Sequence, residues 1–93
     1  MKNIADETQW LDATAQAALV AAGELSSREL VDAAIERIDR TDGAINAVVL
    51  HWCHRARQGA DAIDATGAGT APAGGGSGVR PPFLGVPVLL KDL

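Results

Sequence analysis

Tyrosine is absent from the 93 residues, and Trp10, Trp52 and Phe83 are the only aromatic side chains. A platform for stacking bases, or an aromatic-lined sugar cleft, would need more. Basic residues are also scarce: eight Lys and Arg against twelve Asp and Glu give a net charge of −4. Nucleic acid and anionic membrane surfaces both require a basic face, so neither is expected as a partner. Cys53 is the only cysteine, which excludes an intramolecular disulfide and fits a reducing compartment. No apolar run approaches the ~18 residues of a membrane span. The first ten residues place acids where a secretory signal has its apolar core. A soluble, cytoplasmic chain is the expectation.

Hydrophobic residues make up 47% of the chain, but 18 of them are alanine and only 25 are larger apolar side chains. A chain of this length buries only about 60–65% of its unfolded surface, so marginal stability is expected. Composition divides the sequence into three. Residues 1–65 hold 11 of the 12 acids and 6 of the 8 bases, with helix punctuation throughout. Residues 66–82 hold 6 of the 10 glycines and 3 of the 4 prolines, and have little to bury. That stretch reads as a linker or long loop, because nothing in it offsets the entropy of ordering. Residues 83–93 turn apolar again.

Helix signals are clearest between Asp12 and Gly43. Asp12 can cap a first helix, Ala13 to Ala22 favour helix, and Gly23 offers the stop. Ser26 and Glu29 form a capping box, with Leu25 and Leu30 at the flanking staple positions. Val31, Ala34, Ile35 and Ile38 then form one apolar stripe, while Glu29, Asp32, Glu36, Arg37 and Asp39 cover the other side. Thr41-Asp42-Gly43 is turn chemistry and predicts the helix end. Ile45 to Leu50 reads either as an extended run or as the lead-in to a third helix. Residues 53–65 are helix-compatible but interrupted by Gly59. Val86 to Leu90 is aliphatic and partly β-branched, and predicts a buried strand. Such a strand needs neighbours on both sides, and the sequence stops three residues later. A section of a larger domain is therefore expected.

Three places could carry chemistry. Lys91 and Asp92 follow Val88-Leu89-Leu90, at the end of the predicted strand, where α/β folds place active groups. A lysine base needs its pKa lowered from about 10.4 by about three units, which apolar surroundings can supply. The alternative is a strand-end lysine in solvent, paired with Asp92. His51, Cys53 and His54 could in principle bind a metal, but lack zinc-site spacing and a fourth ligand. Solvent-facing histidines beside a half-buried thiol fit better. Gly74 to Gly78 lacks the Lys-Ser/Thr pair of a phosphate loop, and Pro81-Pro82 forbids a helix directly after it. Ser26 and Ser27 are occupied at a helix start and make poor nucleophiles.

Three stretches together resemble the start of an amidase-signature enzyme. They are Ala13 to Leu30 with its Gly-Glu-Leu-Ser-Ser-Arg-Glu-Leu join, Ala33 to Val49 with Ile45-Asn46-Ala47-Val48-Val49, and Gly85-Val86-Pro87-Val88-Leu89-Leu90-Lys91-Asp92. The stretches Trp10 to Ala15 and Leu89 to Leu93 look most like the family's cyclic-dimer hydrolase branch. The resemblance implies an α/β mixed-sheet fold, of which this chain supplies N-terminal helices and the first strand. It also implies a Ser–cis-Ser–Lys triad that cleaves carboxylic amides through an acyl-enzyme. Lys91 alone carries over, as the general base; both serines and the oxyanion-hole segment follow this motif in the family. The implied substrate is a small amide, and the implied cofactor or metal is none, since the triad works with side chains. The rest of a split or truncated amidase is then a partner. A competing reading is a non-catalytic helical module that binds a partner and adds residues 83–93 as a strand to its sheet.

Overall fold

The computed structural model describes residues 3–66 and 81–90. Four helices fill the first part: α1 (Ile4–Thr8), α2 (Ala13–Ala21), α3 (Ser27–Ile45) and α4 (Cys53–Ala65). Helix α3 is the centre, with α1 packed on it on one side and α4 on another.

Each helix start has a local cause. Asn3 caps α1, its side-chain oxygen accepting from the amides of Ala5 (2.8 Å) and Asp6 (3.3 Å). Composition gives no sign of this five-residue helix, because it is too short for periodicity. It is held instead by α3. Arg37 donates to the Ala5 carbonyl (3.1 Å) and to the Thr8 hydroxyl (2.7 Å), while Arg40 pairs with Asp6 at 2.6 Å. Asp12 caps α2 through the Ala15 amide at 2.8 Å, as expected. Gly23 then ends it with positive φ (76°). The Gly23 amide donates to the Val20 carbonyl and the Glu24 amide to that of Leu19. This pair of bonds is the Schellman arrangement, which favours glycine at that position.

The capping box at Ser26 and Glu29 is present in both directions, at 3.0 and 2.9 Å. It satisfies the third helical amide of α3 and the amide of Ser26 itself. The first two helical amides, of Ser27 and Arg28, each donate to one oxygen of the Asp64 carboxylate, both at 2.9 Å. A helix N-terminus leaves its first amides without internal partners and carries partial positive charge. Asp64, in the last turn of α4, answers both needs and joins the two helices.

Differences from the sequence reading have physical reasons. Helix α3 runs past Thr41-Asp42-Gly43 to Ile45 and ends on Asn46 in the left-handed region (φ 58°). Asp42 serves the far side of that end, its carboxylate accepting from the amides of Ala47 and Val48. The cost of one helical glycine, about 1 kcal/mol, is too small to stop a long helix. For the same reason α4 continues through Gly59. Residues 46–52 are neither helix nor strand. The most buried face of α3 is Ser27, Leu30, Val31 and Ala33, with Ala34, Ile35 and Ile38 only half-buried. Burial along this face is thus concentrated in the N-terminal half of α3, where Asp64 of α4 and Gly85, itself packed on Val20 of α2, meet Ser27.

The predicted strand is the clearest difference. No strand is present among the described residues, and Val88, Leu89 and Leu90 are 74%, 71% and 87% exposed. A strand requires a ladder partner, and the described residues offer this segment none. The linker expected over 66–82 lies largely outside the described residues, as does Gly74 to Gly78. The core is thin as well. Its buried apolar residues are Ala5, Ala17, Val20, Leu30, Val31, Ala33 and Ala60, four of them alanine.

Neither Gly43 nor Gly59 has anything within 4 Å of an added Cβ. Gly43→Ala and Gly59→Ala should each raise stability by about 0.5–1 kcal/mol in urea unfolding. Asp64→Ala should lower it by about 1–3 kcal/mol, by leaving two helix amides unpaired.

Candidate functional site

Lys91 and Asp92 lie outside the described residues. What the structure describes is the segment that leads to them and how it is held. Pro81 to Val86 forms consecutive turns, with the Leu84 amide donating to the Pro81 carbonyl (3.3 Å) and Val86 to Phe83 (3.1 Å). Gly85 takes a positive φ of 91°. Its carbonyl accepts a buried hydrogen bond of 2.9 Å from the Ser27 hydroxyl. The torsion favours glycine, and a Cβ at Gly85 would in addition press on its neighbours, at 3.1 Å from Val20 Cγ1 and 3.3 Å from Ser27 Cβ. After this clamp the chain emerges with Val88, Leu89 and Leu90 in the open.

Beside the clamp, an open groove of about 290 Å³ lies between α3, α4 and the same segment. Val31, Ala60, Ile63, Val86 and Val88 give it an apolar lining. The two described serines are both engaged, Ser26 in the capping box and Ser27 on Gly85. No nucleophile–base pair forms around either. His51 and His54 are exposed and Cys53 is half-buried at the start of α4. Among the described residues no group of three His, Cys, Asp or Glu could hold a metal ion. No helix among those residues is long and apolar enough to cross a membrane.

Charge organises the α3–α4 seam. Asp32 accepts from Arg57 (2.8 Å) and from Arg28 (3.0 Å), and Arg28 reaches on to Asp61 (2.8 Å). The hydrogen bond from Arg57, helped by Arg28, holds the Asp32 carboxyl below its ordinary range despite some desolvation. Asp32 stands on the charged side of α3 opposite the apolar stripe, whereas no sequence motif marks Asp64 or the Ser27–Gly85 bond.

With this geometry in view, known proteins give the context. The chain is 40% identical over 84 residues to a 6-aminohexanoate-cyclic-dimer hydrolase of Pseudomonas sp. strain NK87, a match covering 90% of this chain. The chain is an amidase-signature homologue. It is also 38% identical over 72 residues (77% of the chain) to a glutamyl-tRNA(Gln) amidotransferase subunit of Halorhodospira halophila. A 1-carboxybiuret hydrolase subunit of Pseudomonas sp. strain ADP matches at 38% over 74 residues, 80% of the chain. These matches span 14%, 13% and 15% of the relatives' own lengths. No family profile matches the chain. No solved structure matches it either.

The lowered pKa of Asp32 sets a direction for acid behaviour. Its folded-state pKa lies below the unfolded value of about 3.9, so its contribution is complete above that value and is lost as pH falls through the folded pKa. Because its side chain and those of Arg28 and Arg57 are more than a third exposed, solvent screens both pairs and their contribution is small. Asp32→Asn should therefore be less stable than the parent near neutral pH. The gap should close as the solution is acidified below about pH 4. Urea titrations at several pH values measure it.

Proposed function

We propose that the chain forms the N-terminal part of an α/β amidase that hydrolyses small carboxylic amides, and that Lys91 is its general base. Residues 1–65 are the helical part, 66–82 a connection, and 83–93 the first strand, all within one domain. The identity of about 40% across 90% of the chain to a cyclic-dimer hydrolase carries this reading. The motif Gly85-Val86-Pro87 to Lys91-Asp92 supports the assignment of the base.

In this reading a neutral Lys91 takes a proton, through a bridging cis-serine, from a nucleophilic serine elsewhere in the domain. That serine attacks the amide carbon, the amine departs with a proton returned to it, and water then cleaves the acyl-enzyme ester. Such a lysine must lose its charge at neutral pH. Covering Val88, Leu89 and Leu90, which are exposed in this structure, would supply the apolar surroundings that lower a lysine pKa. The helices thus deliver the base, and the rest of the domain activates it. A triad of side chains needs no metal or organic cofactor, and the reading places the enzyme in the cytoplasm.

A chimera tests this. Residues 1–93 would replace the matching segment of the Pseudomonas cyclic-dimer hydrolase, and amide hydrolysis should persist. Lys91→Ala in the chimera should lower kcat by at least about 10²-fold. The isolated 93 residues should show no hydrolysis, because a base without nucleophile and oxyanion donors retains little of the catalytic stabilisation. Turnover by the isolated chain, or by the Lys91→Ala chimera, would sink the reading.

A further inference from the structure

We propose that Ser27 is a positioning residue for Lys91, its hydroxyl fixing the point from which the lysine-bearing segment leaves the helices. This rests on the reading of Lys91 as general base. Four observations carry it. Ser27 has no remaining task in its helix, since Ser26 already caps α3. Its hydroxyl is nevertheless buried, the residue being 2% exposed, and donates across 58 positions of sequence to the Gly85 carbonyl. A buried hydroxyl is costly unless bonded, so this one is tied to that single carbonyl. Ser27 is itself held by its amide on Asp64. Finally, Gly85 has φ 91° and packs so closely on Val20 and Ser27 that an added Cβ would stand 3.1 and 3.3 Å from them, so a side chain there would strain this contact.

The consequence concerns the alternation of side chains. In an extended segment successive side chains face opposite ways, and a slip of one residue exchanges the two faces. Pinning Gly85 sets which of Val88, Leu89 and Leu90 faces the covering part of the domain, and so sets the approach of Lys91. A base displaced by about 1 Å loses on the order of 10²-fold in rate.

The test uses the same chimera. Ser27→Ala should lower kcat by about 10- to 100-fold with KM within about twofold, and should shift the ascending limb of the pH–rate profile. Thr8→Ala removes a buried hydroxyl bonded to Arg37, ten residues along α3 from Ser27. It should lower the melting temperature at least as much as Ser27→Ala and leave kcat within about twofold. Loss of turnover in Lys91→Ala with an unaltered kcat in Ser27→Ala overturns the positioning role while the base assignment stands. Equal kcat losses in Thr8→Ala and Ser27→Ala also overturn it, as a general effect of instability. Turnover that survives Lys91→Ala removes the base assignment and this inference together. Should the chimera show no turnover, the 93-residue chain decides by hydrogen exchange. Ser27→Ala should speed exchange of the Val86 amide relative to that of Asn46, and equal protection at both overturns the proposal.

Discussion

The described structure depends on the positive end of α3. Four amide donors gather there, and four acceptor contacts meet them: the Glu29 carboxylate, the Ser26 hydroxyl and both oxygens of Asp64. Without Asp64, the part-buried amides of Ser27 and Arg28 would face the junction unpaired, at a cost of about 1–3 kcal/mol in all. Helix α4 is fixed to α3 at that same place, and the Ser27 hydroxyl adds residues 81–90 to it. One helix terminus therefore orders three separate stretches of sequence.

Packing alone would not achieve this. Leu30 and Val20 are the largest fully buried apolar side chains, and four of the five other buried apolar residues are alanine. Alanine-rich faces let helices approach closely, but each removes little apolar surface from water. Polar links between helices carry a correspondingly larger share of the specificity. Arg37 on the Ala5 carbonyl and Thr8 hydroxyl, Arg40 on Asp6, and Arg57 on Asp32 set the helix pairs in register. Meanwhile Ile45, Val49, Leu50, Trp52 and Leu90 stay more than 60% exposed.

How far the sequence speaks for itself varies with the range of the interaction. Asp12, Gly23 and the Ser26–Glu29 box are legible because each cap is a contact over a few residues. Helix α1 is not, since its stability comes from Arg37 and Arg40 about thirty positions away. Breaks expected at Gly43 and Gly59 do not occur, because glycine propensity is a small term that neighbouring turns outweigh. Val86 to Leu90 has strand composition, but strand structure is a property of pairs, and the described residues include no strand to pair with it. The family is legible through order and spacing, while the Ser27–Gly85 clamp, joining residues 58 apart, has no local signature.

Asp64 and Gly85 are both fastened to the first turn of α3, so the twenty residues between them join ends that are already side by side. The entropy of closing such a loop grows only with the logarithm of its length, about 0.6 kcal/mol for each doubling. A Gly- and Pro-rich stretch could therefore lengthen or shorten here with little effect on the helices or on the segment beyond. The clamp insulates its two neighbours from whatever happens between them.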